Sequence, residues 1–499
     1  MSEHPSSTAG VAAIEQLASG VWLGGESASS EHRIDVVDPA TDAVVGSAAL
    51  VGPDHVRRAA DLAAAAQPSW AATPPRQRAE ILRRAHELLV ARADTFAAII
   101  TAEMGKPLHE ARGETMSAAD YFRWASEDAA RIAGHLLDSP AGGAEVQVRR
   151  RAVGPCYLIT PWNFPLSMGA RKIAPALAAG CTAMVKPSEL TPFSMLALAE
   201  LLAEAGVPEG VLSVLVADRP EVVTEVLVAD PRIRKLSFTG STRVGRLLLV
   251  QAATNVMRTS MELGGNAPVI VAEGVDLDEV VAHVATAKLR NAGQTCVTPN
   301  RFYVHASVAD DFVAAVAERF AGVSLGHGAT AGTDCGPMIN RTQRDRVASM
   351  VAAAIDDGAA LVSGGVTPEG PGSFHAPTVL ADVSPDSRIV REEIFGPVLA
   401  VQRFSDLDAA IAEANAVDVG LAGYVFDRDL ERGLAIAERL EVGMVGLNTG
   451  VVSDVATPFG GVKASGLGRE GGLSGIDEYL EERAVRIPRR NENVMSKWR

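Results

Sequence analysis

Cysteine is scarce. The 499 residues hold only four (Cys156, Cys181, Cys296 and Cys335), scattered and without a C-x-x-C pair. Neither a disulfide framework nor a metal site is therefore expected, and reduced thiols in a cytoplasmic setting are. Long apolar runs are missing too: no stretch approaches the ~20 residues a membrane helix needs. The opening MSEHPSSTAG lacks the basic and apolar regions of a signal peptide. Basic residues are outnumbered, 46 Lys and Arg against 61 Asp and Glu, giving a net charge of -15. Such a surface repels phosphate backbones and anionic lipid, so nucleic acid and membrane are not expected partners. An anionic substrate would need a local basic pocket. There is no internal repeat, no low-complexity segment and no G-x-G-x-x-G fingerprint.

What is present is a globular composition, 47% hydrophobic and 21% charged. The length suggests about two to four domains. Residues 1–15, polar and rich in Ser and Ala, read as a frayed arm. Pro53 to Leu137 is mostly helical in pattern, with apolar residues every three or four positions. Gly142-Gly143 and the alternating EVQVRRRAVG then predict a turn and a strand. From residue 153 short β runs (YLIT, TAMVKP, VLSVLV, KLSF) alternate with helices, one of them closed by Gly206. That texture predicts parallel α/β sheets of the doubly wound type. It resumes at PVIVAEG and continues to about Gly446, so two α/β units are expected, with a break near Leu263-Gly264-Gly265. A last strand is expected at AVRIPRR. It and the strand near 146–153 are free to pair outside the core units.

Four segments could carry chemistry. Cys296, in LRNAGQTCVTPNR, sits among small and polar residues that permit close backbone approach. A thiolate there would be a strong nucleophile, whereas the other three cysteines read as inert core residues. Glu262, in SMELGGNAP, is a carboxylate beside an apolar run and a Gly-Gly pair, a setting that raises a pKa and suits water activation. Gly240 and Ser241, in TGSTRVGR after KLSF, could present N–H groups and a hydroxyl to a pyrophosphate, or form an ordinary strand-to-helix turn. PWNFP stiffens Asn163 between prolines, either as an oxyanion donor or as a structural turn around a packed Trp162.

Taken together, ITPWNFP, VKPSE, FTGST, MELGGNAP, NAGQTC, EEIFGP and PFGGVKASGLGRE resemble the aldehyde dehydrogenase superfamily in order and spacing, over roughly residues 20–490. The resemblance implies an aldehyde dehydrogenase-like fold with two doubly wound, Rossmann-like α/β domains and a small β oligomerisation element. It implies a discontinuous NAD(P)-binding domain (1–133 and 153–262), a catalytic domain (263–476) and oligomerisation strands (134–152 and 477–499) building a homodimer or homotetramer. Cys296 would be the nucleophile, Asn163 with the Cys296 N–H the oxyanion donors, and Glu262 the base that activates water. The implied cofactor contacts are Thr160, Pro161, Trp162, Lys186, Ser188 and Glu189 on one side, with Gly240, Ser241, Leu263, Glu393 and Phe395 on the other. Glu189 can accept from a ribose 2′-OH and would repel a 2′-phosphate, which favours NAD and leaves NADP open. No metal is implied.

Arg171, Arg290 and Ser453 match the succinate-semialdehyde dehydrogenases of that superfamily, where two Arg and a Ser hold the distal carboxylate. Two guanidinium groups suit a carboxylate through charge-assisted hydrogen bonds, although either could pair with a protein carboxylate instead. Phe164 and Phe459 would bracket the four-carbon chain. The expected substrate is thus an aldehyde carrying a distal carboxylate, succinate semialdehyde first and glutarate semialdehyde as the alternative. Glu262 disfavours a CoA-acylating member, and an intact Cys296, Glu262 and Asn163 disfavour a silent binding protein. Thr298 stands where some relatives carry a second cysteine, so that local redox switch is not expected. Leu289 replaces a common Phe, a change expected to alter packing only.

Overall fold

Runs such as Cys156–Ile159 and Ala183–Lys186 show no polar alternation, and every residue in them is buried. Strands of that kind belong in a parallel sheet covered on both faces by helices. In the computed structural model, which describes residues 5–489 except residue 18, they lie in an eight-stranded sheet. Its order is Glu26–Ala28, Val21–Leu23, Leu212–Val214, Ala183–Lys186, Cys156–Ile159, Lys235–Thr239, Arg258–Glu262 and Gly466–Leu467. The central strands run parallel and the edges antiparallel. The chain winds outward from Cys156–Ile159 to Leu212–Val214, then returns to the other side for Lys235–Thr239. That reversal opens a crevice at the carboxyl ends of Cys156–Ile159 and Lys235–Thr239, where doubly wound sheets bind ligands. The register brings the ends level: Phe238 pairs with Ile159 and Thr239 with Glu262.

A second sheet has seven strands, in the order Ala360–Ser363, Thr378–Ala381, Val398–Phe404, Pro299–His305, Ala267–Val271, Ala422–Phe426 and Met444–Leu447. Residues 263–266 make the first crossing between the two sheets, and the chain returns to the first through residues 448–465. A Cβ on Gly265 would sit 2.7 Å from the Cys296 carbonyl oxygen, so the crossover presses on the Cys296 loop where no side chain fits. The strands expected to pair outside the core units pair with each other: Leu480–Pro488 lies antiparallel to Ala144–Ala152, from Leu480↔Ala152 to Pro488↔Ala144, and His135–Asp138 completes the sheet. Residues 490–499 of that expected element lie outside the described residues.

Two expectations are corrected. The Ser/Ala-rich start is not a frayed arm but a helix, Pro5–Glu15. Gly10 lets it seat against the helix Ala93–Met104, where a Cβ would lie 2.5 Å from the Ala98 carbonyl oxygen, and Ile14 is buried. Docking of this small apolar face outweighs the polar composition. Residues 466–467, expected in the second unit, instead add an edge strand to the first sheet, and Ile476 and Tyr479 pack into the first unit's core. Between Pro53 and Ala129 the helical pattern is realised as four helices (Pro53–Ala72, Pro75–Ala91, Ala93–Met104 and Leu108–Ala129). The last break is Gly105-Lys106-Pro107, with Gly105 at φ +89°. Among the described residues no helix is long and apolar enough to cross a membrane.

Candidate active site

The loops that leave the level strand ends converge on a cavity of about 630 Å³. Its walls bring together Cys296, Asn163, Glu262, Arg171, Arg290 and Ser453, with the rings of Phe164 and Phe459. Pro161, Trp162, Gly240, Ser241, Leu263, Glu393 and Phe395 line it as well. Thr160, Lys186, Ser188 and Glu189 do not. They sit at the carboxyl ends of Cys156–Ile159 and Ala183–Lys186, further along the same sheet edge.

Cys296 follows an unusual turn. The helix Leu277–Leu289 stops, and Asn291, Ala292 and Gly293 all take left-handed backbone, at φ +54°, +53° and +71°. Two consecutive non-glycine residues in that region are strained and persist only where the surroundings over-determine them. Here the Asn291 N–H donates to Glu110 (2.7 Å) and its amide to the Asn163 carbonyl (2.9 Å). Gln294 donates to the Asn291 carbonyl (3.0 Å) and accepts from the Ile339 N–H (2.8 Å). The Asn and Gln of NAGQTC are thus the braces of the Cys296 loop. Cys296 itself is half-buried. Burial pushes its thiol up to about 12, with Arg171 and Arg290 pulling it down and Glu393 and Glu262 pushing it further up.

Asn163 is buried, and its amide donates to the Gln294 carbonyl (3.0 Å), which turns the side chain toward the Cys296 loop. One amide hydrogen remains for another acceptor. Glu262 ends its strand with both carboxyl oxygens buried and without a hydrogen-bond partner among the described residues. Burial, and then the like charge of Glu470, push its carboxyl well above the usual carboxylate range, against Arg171, Lys172 and Arg469. An unpartnered buried carboxyl of this kind is a proton acceptor of raised affinity.

The two arginines differ. Arg171 is fully buried, and its Nε donates to Glu470 (2.8 Å) while its guanidinium stacks 3.9 Å from the Phe459 ring centre. The alternative of a protein carboxylate partner is the one realised here. Arg290 has no ion pair among the described residues. Its Nε is buried and unpartnered, and its guanidinium lies 5.5 Å from the centre of Phe164. Both phenyl rings therefore face cations as well as the cavity.

Sequence reasoning missed Glu470. Besides Arg171 it takes Lys172, fully buried, and the Ser237 hydroxyl. Against the cost of burial, Lys172 and Arg171 hold its carboxyl below the usual range. Glu470 lay inside the quoted GLGRE, yet nothing local to it indicates partners about 300 positions away.

The residues assigned to a cofactor form a polar rim. Ser241 caps the helix Thr242–Ala253, accepting from the Val244 N–H, and Gly240 packs on the Phe238 ring, which an added Cβ would meet at 2.5 Å. The Thr160 and Thr239 hydroxyls are buried without partners among the described residues. Glu393 accepts from the Gly265 N–H (3.2 Å) and is pushed up to about 7, chiefly by burial. Phe395, at φ +54°, meets Trp162 edge-on with ring centres 5.5 Å apart. Lys186 donates to the Pro187 carbonyl (3.1 Å), with Glu189 4.0 Å away.

Comparison with known proteins identifies the family. Residues 26–485 match the model of the aldehyde dehydrogenase family. A succinate-semialdehyde dehydrogenase of Paenarthrobacter nicotinovorans is 50% identical over 435 residues, 87% of this chain and 97% of that protein. A glutarate-semialdehyde dehydrogenase of Pseudomonas aeruginosa is 44% identical over 462 residues, 93% of this chain and 95% of that protein. The crystal structure of succinate-semialdehyde dehydrogenase from Burkholderia pseudomallei superposes with a TM-score of 0.93 at 44% identity, covering 95% of this chain and 98% of that one. The chain belongs to the aldehyde dehydrogenase family.

Proposed function

We propose that this chain oxidises succinate semialdehyde to succinate with a nicotinamide cofactor. One observation carries the reading: Cys296, Asn163 and Glu262 share a cavity with Arg290, an arginine without a carboxylate partner among the described residues. Cys296 Sγ attacks the aldehyde carbon to form a thiohemiacetal. The remaining Asn163 amide hydrogen and the Cys296 N–H donate to the oxygen as it gains charge. A bound nicotinamide supplies the hydride acceptor that takes the carbon to the acyl level. Glu262 then removes a proton from the water that attacks the Cys296 thioester, and the acid leaves with the thiolate restored. Arg290, with Ser453, holds the distal carboxylate, against a wall to which the Glu470-paired Arg171 belongs.

The rim residues fit a dinucleotide. Gly240 and Ser241 at a helix N-terminus suit the pyrophosphate. The orphaned Thr160 and Thr239 hydroxyls and Glu393 suit its polar groups. Glu189 supports NAD over NADP, since a carboxylate there accepts from the 2′-OH and repels a 2′-phosphate. Free thiols support a reducing, cytoplasmic setting.

Initial rates with succinate semialdehyde test the reading, run with NAD and with NADP beside butanal as a neutral control. The control matters because Arg290 also draws down the Cys296 thiol. Arg290→Ala is expected to lower kcat/KM for the semialdehyde by about 10²–10³-fold, and for butanal far less. An equal loss on both aldehydes removes Arg290 from carboxylate binding. Glutarate semialdehyde is the second reading, favoured by the Pseudomonas aeruginosa relative. One methylene is worth about 10–200-fold in such a pocket, so the ratio of the two kcat/KM values decides.

The three-stranded sheet is read as the oligomerisation element. It exposes Leu136, Leu137, Val485 and Ile487, apolar surface that a monomer leaves wet. Leu136→Lys with Leu137→Lys is expected to shift a dimer or tetramer toward monomer by light scattering. An unchanged mass places the interface elsewhere.

A further inference from the structure

Three charged groups at the cavity wall take no part in the steps above, two of them, Glu110 and Glu114, among its lining residues. Lys106, in the Gly105-Lys106-Pro107 break, and Glu114, on the helix Leu108–Ala129, form an ion pair of 2.6 Å with both side chains wholly buried. Glu110 precedes Glu114 by one helical turn. Buried pairs are weak contributors to stability, because desolvation cancels much of the attraction. A use other than stability is supplied by the remaining contacts of these groups.

Lys106 Nζ also donates to the Asn163 carbonyl at 2.8 Å and stands 3.9 Å from the centre of the Phe164 ring. The other oxygen of Glu114 accepts from the Leu166 and Ser167 N–H groups, at 2.9 and 3.1 Å. One ion pair therefore grips the segment 163–167 at both ends. Glu110 accepts from the Asn291 N–H, and Asn291 donates to the same Asn163 carbonyl that Lys106 holds. The Asn163 amide in turn donates to the Gln294 carbonyl, two residues before Cys296. On the far side, glycines back the break itself: a Cβ on Gly328 would lie 2.4 Å from the Lys106 carbonyl oxygen, and one on Gly336 2.4 Å from that of Gly105. The break is thus packed closely against Gly328 and Gly336 of the second unit.

The geometry points to Lys106 as a positioning residue: with Glu114 and Glu110 it forms a clamp that fixes the Asn163 amide relative to Cys296. The clamp rests on the reading of Asn163 as oxyanion donor. It acts by holding one backbone carbonyl and one strained loop in a single arrangement. A donor displaced by about 1 Å from a forming oxyanion costs on the order of 10²-fold in rate.

The test is a cycle of wild type, Asn163→Ala, Lys106→Met and the double variant. Two readouts are taken: the pre-steady-state burst of reduced cofactor with succinate semialdehyde, and alkylation of Cys296 by iodoacetamide. Alkylation needs the thiolate but forms no oxyanion. Lys106→Met is expected to slow the burst about 10²-fold while alkylation stays within about threefold. In the Asn163→Ala background the same substitution is expected to slow the burst less than about threefold further, because no donor remains to misplace. Equal factors in both backgrounds, or alkylation falling with the burst, overturn the clamp while leaving Asn163 its role. An Asn163→Ala burst at the wild-type rate overturns the oxyanion reading and the clamp with it. Lys106→Met leaves Glu114 as an unpaired buried carboxylate. If that variant does not fold, Lys106→Met/Glu114→Gln replaces it in the same cycle, carrying neither charge and keeping an acceptor for Leu166 and Ser167.

Discussion

Cys296→Ala is expected to lower aldehyde-dependent formation of reduced cofactor by about 10⁴-fold or more, with the protein still folded. No other thiol is placed to take over: Cys156, Cys181 and Cys335 are fully buried and do not line the cavity. The substitution removes a half-buried side chain, so the cost to stability is small beside the cost to rate. The site also fixes how the wild-type thiol responds to pH. With burial holding it at about 12, the thiolate is about one part in 10⁵ at pH 7 before substrate and cofactor bind. Alkylation of Cys296 in the resting enzyme is therefore expected to rise about tenfold per pH unit from pH 7 to 10, without a plateau. Arg171 and Arg290 both pull the thiol down, so Arg290→Ala should slow alkylation at any pH in that range. A plateau near pH 8.5 would mean that the two guanidinium groups outweigh burial, and the nucleophile would then be primed by charge alone.

The fold class was legible because its signal is local and repeated. Four-residue apolar strands such as Cys156–Ile159 alternate with helices closed by glycines, Gly206 among them at φ +107°. Once the strands are laid in doubly wound order, the segments after them must share one edge, and Asn163, Ser241 and Glu262 do. The apolar face of the first helix was hidden by serine and alanine, residues whose burial depends on what they dock against. Arg171 shows the limit more sharply. The sequence assigned it to a substrate carboxylate, with a protein carboxylate as the alternative. The choice falls to Glu470, which reaches the site because Phe459 and Glu470 bridge across a tight loop and exchange backbone hydrogen bonds of 2.7 and 2.8 Å. No periodicity encodes such a contact. Arg171 is then part of the wall, and the free positive charge expected on a -15 chain is concentrated on Arg290.

Glu262→Gln is expected to separate the two halves of the reaction. Attack by Cys296 and formation of the acyl-enzyme need no charge on Glu262, so one equivalent of reduced cofactor should still appear as a burst. Hydrolysis needs the base, and steady-state turnover should fall about 10²–10⁴-fold. A loss of burst and turnover together would make Glu262 the acceptor of the thiol proton instead. The wild-type rate of hydrolysis carries a sign that can be worked out from the site. Burial and the charge on Glu470 raise the Glu262 carboxyl, so the base form grows as pH rises, and turnover should climb with it through the raised value. Glu470→Gln removes the like charge and frees Arg171 and Lys172 to act on Glu262, and both changes favour the carboxylate. The acid limb of the turnover profile should therefore move to lower pH in Glu470→Gln. A limb that stays in place would show that burial alone sets the proton affinity of Glu262. A limb that moves to higher pH would show that Arg171 and Lys172 reach Glu262 only while Glu470 holds them there.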